Sequence, residues 1–230
     1  MAEHTVKSFD DEIGRLRGLI AEMGGLAEVA IAEAIAALIE DDTDKAQRVV
    51  DADPKLDKLE AEVDRLAVRV IALRAPMADD LRDVIAALKI SGIVERIGDY
   101  AKNIAKRVDE VGSRTKITPV ALVPAMADIA KSMVHDILNA YAARDAELAV
   151  EVILRDDKLD NLYNSLFRTL VSHMMENPAT ISSAAQLLFV GRNLERIGDH
   201  ATNVAEMVYF AATGAYYSDG DRHEKGESNN

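Results

Sequence analysis

Two eleven-residue stretches, a hundred residues apart, carry nearly the same acidic pattern. The first reads ERIGDYAKNIA from Glu95 to Ala105, and the second reads ERIGDHATNVA from Glu195 to Ala205. In an α-helix, side chains four residues apart lie on one face, so each stretch aligns a Glu, an Asp and an Asn. Oxygen ligands of this kind suit hard cations such as Mg²⁺, Ca²⁺, Mn²⁺ or Fe³⁺. The two predicted rows of metal-ligating oxygens are Glu95, Asp99 and Asn103, and Glu195, Asp199 and Asn203.

The composition of the rows is not what helix stability alone would select. Carboxylates four residues apart repel each other, and Gly98 and Gly198 each cost about 1 kcal/mol relative to alanine inside a helix. A bound cation would offset the repulsion, and a glycine admits a close neighbour. The alternative is an ordinary solvated face, on which Arg96, Arg196 or Lys102 pairs with the acids.

The preceding predicted helix of each half carries further carboxylates. In the first half they lie within about 60° of one another at the helical period, and they are Asp53, Asp57, Glu60 and Asp64. The second half keeps Asp156, Asp157 and Asp160, with Tyr163 in the place of Glu60. Where two such helices meet, carboxylates from both could enclose one or more metal ions.

The elements that must position these residues are long helices. Apolar residues recur at steps of three and four over long stretches, which indicates helices packed side by side. In the last helix this buried seam includes Ile197, Ala201 and Val204, so the row that begins at Glu195 is predicted on the opposite face. The breaks predict six helices, at 8–41, 43–74, 77–111, 120–143, 145–175 and 179–212.

The second half of the chain repeats the first. Asp42–Asp53 aligns with Asp145–Asp156 at an offset of 103, and Glu95–Asn103 aligns with Glu195–Asn203 at an offset of 100. Such self-similarity indicates two copies of one unit. The sequence therefore predicts an all-α protein made of two tandem, pseudo-symmetric three-helix bundles. The expected divisions are 1–114 for the first bundle, 115–213 for the second and 214–230 for a flexible tail.

Composition excludes several classes of function. The 230-residue chain has 27 Lys and Arg against 40 Asp and Glu, a formal charge of −13, so its average surface repels nucleic acid. It has no cysteine, which excludes disulfides, thiolate zinc sites and cysteine nucleophiles. No signal-peptide core or long uncharged apolar stretch is present, so a cytoplasmic protein is expected, reaching a membrane only through partners.

The motifs resemble those of the PhoU family of phosphate-signalling regulators. The resemblance rests on both ERIGD motifs, on RAPMADDLRDVIAALK at 74–89 and on DDKLD at 156–160. It implies two similar three-helix bundles and surface metal clusters, with iron in some members and Mg²⁺, Mn²⁺ or Zn²⁺ as other candidates. Carried over by position, the ligands are Glu95 and Asp99 with Asp53 and Asp57, and Glu195 and Asp199 with Asp156 and Asp160. Asn103 and Asn203 would supply further oxygen atoms.

The resemblance also directs attention to a partner-binding stretch in one half only. Asp80 and Arg82 fall in the family's DLR segment, whereas the second half reads ISSA there. This asymmetry argues against identical roles for the two clusters and marks Asp80 and Arg82 as candidate partner-binding residues.

By resemblance, the chain would be a non-enzymatic negative regulator of the phosphate-starvation response. It would couple a high-affinity phosphate ABC transporter, through its ATPase subunit, to a sensor histidine kinase, and a homodimer is expected. Two alternatives stay open, a metal-dependent carboxylate-cluster enzyme and an acidic helical scaffold. Di-iron bundle enzymes use Glu-x-x-His pairs, and the reversed order at His173 and Glu176 disfavours that route to catalysis.

Overall fold

The computed structural model describes residues 2–112 and 122–217, with side chains from residue 9 onward. This part of the chain is helical and contains no strand, which confirms the predicted all-α class. The helices are α1 (Ala2–Glu40), α2 (Thr43–Ala52), α3 (Pro54–Arg74), α4 (Asp79–Ala105), α5 (Val108–Gly112), α6 (Leu122–Ala143), α7 (Ala146–Glu176) and α8 (Ile181–Thr213). A 3₁₀ turn, Pro178–Thr180, leads into α8.

Two of the six predicted helices are interrupted. The helix predicted at 43–74 divides into α2 and α3 because Pro54 has no amide hydrogen to donate to the preceding turn. At the equivalent place in the second half stands Asp157, and α7 continues without a break. The helix predicted at 77–111 begins only at Asp79, since Ala75 and Ala78 have φ of 46° and 51°, outside the helical region. It also breaks after Ala105, and α5 follows.

The long helices form two bundles that share an interface. The first bundle consists of α1, α2 with α3, and α4, and the second of α6, α7 and α8. Helix α1 contacts α6, and α4 contacts α8, so equivalent helices meet across the molecule. The predicted division between residues 114 and 115 lies outside the described residues, and the exact domain divisions stay a prediction.

The internal repeat is visible at the turns that end α1 and α6. Asp41 and Arg144 hold the same left-handed conformation, with φ of 56° and 55°. The next residues, Asp42 and Asp145, cap the following helices: Asp42 accepts a hydrogen bond from the Lys45 amide at 2.8 Å. Asp42 and Asp145, which the sequence alignment pairs at an offset of 103, are therefore both helix N-caps.

A charged cluster ties the two bundles together. The Asp83 carboxylate of α4 accepts hydrogen bonds from Arg17 of α1 at 2.9 Å and from Arg144 at 3.1 Å. Arg144 also donates to the carbonyl oxygen of Ala211 in α8 at 2.8 Å. Because the Asp83 side chain is only 12% exposed, loss of either arginine would leave a poorly solvated charge.

The interface between α1 and α6 depends on a glycine. A Cβ atom on Gly24 would lie 2.1 Å from Leu138 Cδ1, whereas one on Gly25 would meet nothing within 4 Å. Gly24 therefore marks a close contact between the bundles, and α1 runs through it unbroken. Among the described residues, no helix has the length and apolar character needed to cross a membrane.

Candidate metal sites

Helices α4 and α8, which carry the two acidic rows, pack against each other at the pseudo-twofold axis. The equivalent residues Tyr100 and His200 meet there, with the tyrosine hydroxyl 3.2 Å from His200 Nε2 and the ring centroids 5.2 Å apart. Arg196 donates to the same hydroxyl at 3.4 Å. The contact fixes the two rows relative to each other and points each row toward its own preceding helix.

The glycines of the two rows allow that preceding helix to approach closely. A Cβ atom on Gly98 would lie 2.2 Å from Leu56 Cδ1, and one on Gly198 would lie 2.5 Å from Leu159 Cδ2. The Gly198 Cβ would also stand 3.0 Å from Asp156 Oδ1. The expectation that glycine admits a close neighbour is confirmed, and the neighbours are side chains of α3 and α7.

In the second half this approach gathers three carboxylates into one cluster. Asp156 and Asp160 of α7 and Asp199 of α8 each offer an oxygen atom, and these atoms lie within 4.8 Å of one another. In the part of the chain that the structure describes, they are the only group of three or more such side chains so close together. Three oxygens at this spacing fit the first coordination sphere of a hard cation.

Glu195 lies beside the cluster in a poorly solvated position. The residue is 9% exposed, its Oε1 accepts a hydrogen bond from Arg192, and its buried Oε2 has no partner among the described residues. Burial first, and then the charges of Asp199 and Asp160, raise the pKa of Glu195 to about 7. A row pointing away from the seam was predicted, but α7 covers that face, so Glu195 is buried.

A pocket of about 410 Å³ opens beside the cluster. It is lined by Ile153, Asp156, Asp199, His200, Thr202, Asn203, Glu206 and Tyr217. Asn203, a predicted oxygen ligand, is exposed and lies 3.4 Å from His200 Nδ1 through its side-chain nitrogen. Burial, followed by the charge of Arg96, lowers the pKa of His200 and so disfavours the charged imidazolium.

In the first half, a lysine side chain lies between two of the carboxylates. The second half has no lysine at the equivalent position. Lys102 Nζ donates to Asp53 Oδ2 at 2.6 Å and also to an oxygen of Asp99. Although burial opposes the effect, these two hydrogen bonds raise the pKa of Lys102 above its ordinary value. The equivalent residue of the second half is Thr202, whose hydroxyl donates to the Gly198 carbonyl at 3.1 Å.

The remaining predicted ligands of the first half surround this ion pair. Burial, followed by the charges of Asp99 and Glu60, raises the pKa of Glu95 to about 7, and Asp57 and Asp53 contribute further repulsion. Asp57 is exposed, and Asn103 is partly buried. The structure therefore brings the predicted residues together in this half as well, with an ammonium group of the protein between two of them.

Asp80 and Arg82, the candidate partner-binding residues, face different pockets. Asp80 lines one of about 370 Å³ with Phe9 and Met77. Arg82 pairs with Asp79, and its guanidinium lies in a second pocket, beside Gly214. The pair does not form one site.

The comparison with known families matches the repeat. The family model described as the PhoU domain matches twice, over residues 20–108 and 123–208, once in each bundle. This chain belongs to the PhoU family. The double match confirms the family resemblance that the ERIGD motifs carry, and its two segments coincide with the two acidic rows and their preceding helices.

Relatives with assigned names cover nearly the whole chain. A phosphate-specific transport system accessory protein PhoU homolog from Zymomonas mobilis is 55% identical over 92% of this chain and 89% of its own length. The protein of the same name from Caulobacter vibrioides is 46% identical over 93% of this chain and 94% of its own length. These names describe accessory proteins, so the comparison does not favour a carboxylate-cluster enzyme.

Solved structures share the fold. The crystal structure of PhoU from Pseudomonas aeruginosa superposes with a TM-score of 0.87 at 36% identity, covering 90% of this chain and all of that one. The phosphate transport system regulatory protein PhoU from Streptococcus pneumoniae superposes with a TM-score of 0.85 at 25% identity, covering 91% of this chain and 99% of that one.

Sequence reasoning did not identify every residue that shapes the two sites. It treated Lys102 only as one possible surface pair, and it assigned no role to Thr202, Glu206 or Tyr217. A position-by-position comparison of the repeats would have found two of the differences, because Thr202 and Glu206 stand where the first half has Lys102 and Lys106. Tyr217 lies beyond the repeat, and its place in the pocket follows from the backbone turn at Gly214.

Proposed function

We propose that this chain is a non-enzymatic accessory regulator of phosphate uptake. It couples a high-affinity phosphate ABC transporter to a sensor histidine kinase and represses the phosphate-starvation response when phosphate is plentiful. The observation that carries the proposal is the match of the PhoU domain in both bundles, together with relatives named as accessory proteins of phosphate transport.

The physical basis of the proposal is docking. A helical protein with a formal charge of −13 offers acidic helix faces to basic or amphipathic partner helices, which favours fast, selective association. We propose the ATPase subunit of the transporter and the histidine kinase as those partners. The protein would act in the cytoplasm and reach the membrane through them.

Deletion of the gene tests this function. Without the protein, phosphate-starvation genes should remain expressed in phosphate-rich medium, and the wild-type gene supplied in trans should restore repression. Normal repression in the deletion strain would overturn the proposal. Recovery of the ATPase and the kinase in a pull-down from solubilised membranes would identify the two partners.

We also propose that the second bundle holds a metal ion. Asp156, Asp160 and Asp199 would supply the first oxygens, with Glu195 and Asn203 as further ligands. The support is the closeness of the three carboxylates, the unpartnered buried oxygen of Glu195 and the charge repulsion at this residue. A cation here, iron or Mg²⁺, Mn²⁺ or Zn²⁺, would neutralise those charges and hold α7 against α8.

Elemental analysis and calorimetric titration test the metal site with a matched pair of variants. Even outer-shell substitutions weaken metal sites by about 10–100-fold, so Asp199→Asn should lower affinity by about 100-fold or more. The control is Asp99→Asn, the same change in the other row, and metal bound by the second bundle should survive it. Absence of metal from the wild-type protein after titration with each candidate ion would overturn the proposal.

Self-association and the acidic-scaffold alternative are tested separately. Sedimentation velocity measures whether the chain forms the expected homodimer. A scaffold with other partners would bind proteins from solubilised membranes without the transporter ATPase or the kinase among them.

A further inference from the structure

The first bundle contains an apolar pocket that adjoins the first acidic row, with Asp53 and Gly98 in its lining. The pocket has a volume of about 270 Å³ and is formed by α1, α2, α3 and α4. Its lining residues are Leu26, Val29, Ala30, Glu33, Lys45, Arg48, Val49, Ala52, Asp53, Leu56 and Gly98. Val29 is 60% exposed at the pocket.

At the corresponding position of the repeat, the second bundle has an arginine that bridges two helices. Arg155 of α7 reaches across to α6, where its guanidinium donates to Asp136 Oδ2 at 2.5 Å and to Ser132 Oγ at 3.3 Å. At the offset of 103 that the helix ends and caps establish, Arg155 corresponds to Ala52 and Asp136 to Glu33.

The first bundle therefore keeps the acidic end of this bridge and lacks the arginine. Val29 replaces the serine, which makes the opening apolar, and Ala52 removes the side chain that would cross it. Glu33 is exposed and forms no hydrogen bond or close ion pair with the described residues, and its charge contributes to raising the pKa of Lys45. The lining of the pocket combines apolar side chains with the Glu33 carboxylate, and these are the groups that an arginine stem and its guanidinium would contact.

We propose that this pocket receives an arginine side chain from a partner protein. The alkyl stem would lie against Val29, Val49 and Leu56, and the guanidinium would pair with Glu33 as Arg155 pairs with Asp136. Arginine suits such a place because its stem packs on apolar surface while its planar head binds a carboxylate. The proposal rests on the docking function proposed above for the existence of a partner, but the pocket can be tested without one.

The charges around the pocket favour this occupant. Lys45 already donates to Glu40 at 2.7 Å, and Lys102 holds Asp53, so neither lysine ammonium is available to an incoming anion. Arg48 is exposed and without an ion pair among the described residues, so it can turn toward solvent when a cation enters. Arg48 is also the group that would bind a carboxylate. An anionic ligand is therefore the rival occupant of the pocket, and it can be tested separately.

Titration with small capped amino acids tests the pocket directly. N-acetyl-arginine methylamide should shift the methyl resonances of Val29, Val49 and Leu56 and should bind about two- to fivefold more tightly than its neutral citrulline isostere. Equal affinity for the two probes, or shifts elsewhere only, would overturn the proposal. Preferential binding of octanoate at the same methyl groups would also overturn it, by assigning the pocket to an anionic amphiphile through Arg48.

A variant that supplies the missing arginine provides the matched test. Ala52→Arg should fill the pocket and should abolish the shifts caused by the arginine probe. Ala72→Arg, an exposed substitution on α3 away from the pocket, should leave them unchanged. Glu33→Gln keeps the pocket open and should remove the preference for arginine over citrulline. Retention of that preference in Glu33→Gln would overturn the role given to the carboxylate.

A cellular arm separates this inference from the proposed function. If the pocket docks a partner, the Ala52→Arg allele should lose phosphate repression while Ala72→Arg retains it. If the deletion strain itself represses normally, the regulatory function fails and the titration result is unaffected. If the deletion strain loses repression but Ala52→Arg behaves as wild type, the regulator stands and the docking use of the pocket is overturned.

Discussion

The acidic rows of the two bundles share their backbone geometry and differ in the residue that lies between the carboxylates. In the first bundle Lys102 bridges Asp53 and Asp99, whereas in the second Thr202 turns its hydroxyl back to its own helix. One turn further along, the first row has Lys106 and the second has Glu206. The first bundle thus neutralises its row with a covalently attached cation, and the second leaves room for an exchangeable one.

The two acidic rows differ in charge, while the helix packing beside them is similar. Gly98 and Gly198 admit the preceding helix in the same way in both bundles. What separates the sites is the charge at two positions of the repeated helix, Lys102 against Thr202 and Lys106 against Glu206. An attached ammonium is always present, while a bound metal depends on its concentration, so with the metal site proposed for the second bundle only that row would respond to metal supply.

Exchanging Lys102 and Thr202 between the two rows should have the largest effect on metal binding. Thr202→Lys would place an ammonium group beside Asp156 and Asp199, and metal affinity of the second bundle should fall by about 100-fold or more. Lys102→Thr would free Asp53 and Asp99 and should add a metal ion per chain. Metal content after equilibrium dialysis and calorimetric titration measure both results.

A control variant accompanies this exchange, and one of the exchanged variants is expected to lose stability. Lys106→Thr removes a nearby exposed charge without touching the ion pair and should leave metal content unchanged. Without metal, Lys102→Thr should lower the free energy of unfolding by about 1–3 kcal/mol, because Asp53 is only 10% exposed. Wild-type metal content in Thr202→Lys would contradict the assignment of the site to the second bundle.

Glycine substitutions should have an intermediate effect that distinguishes packing from metal binding. Gly98→Ala and Gly198→Ala each force a leucine of the preceding helix to move and should cost about 1–3 kcal/mol of stability. Gly198→Ala should also weaken metal binding, because its Cβ would meet Asp156 Oδ1 at 3.0 Å.

The control for this pair is Gly18→Ala in α1. Its Cβ would meet nothing within 4 Å, so the substitution should raise stability by up to about 1 kcal/mol through helix propensity alone. Chemical denaturation measures all three variants, and calorimetry follows the metal. Equal metal affinity in Gly198→Ala and Gly98→Ala would show that helix separation does not control the site.

The smallest expected effect is a dependence of metal-free stability on pH. The pKa of Glu95 and that of Glu195 are both raised to about 7, so the folded protein binds these protons more tightly than the unfolded chain does. Stability of the metal-free protein should therefore rise as pH falls from 8 toward 5.5. Chemical denaturation at several pH values, in the presence of a chelator, measures the slope.

Single glutamine variants assign that slope to its residues. Glu195→Gln and Glu95→Gln should each flatten it, while Glu151→Gln, at an exposed position on α7, should leave the two buried contributions in place. Saturating metal should reverse the trend for the wild-type protein, because protons compete with the cation for the carboxylates. A slope that is unchanged in both buried variants would remove these glutamates as its source.

Much of the fold could be predicted because its signals are local. The spacing of apolar residues at steps of three and four predicted the long helices. The alignment of Asp42 with Asp145 predicted the repeat, and both residues are N-caps in the structure. The break at Pro54 was missed because the apolar period continues through it, although proline removes one hydrogen bond there. Ala75 and Ala78 have positive φ values although neither is a glycine. The residue types therefore did not indicate that α4 begins only at Asp79.

The sequence by itself determined which side chains share a helix face, because a period of 3.6 residues places Glu95, Asp99 and their counterparts in line whatever surrounds them. Only the tertiary structure decided what each line faces. Lys102 has a long side chain that could extend into solvent or fold inward. Because α3 lies close, the inward position lets its ammonium group pair with two carboxylates. In the same way, Ala52 lines a pocket only because α1, α2, α3 and α4 pack around it, and residue 52 by itself does not specify that packing. Distances between side chains on different helices are set by packing of the whole core, and no single helix encodes them.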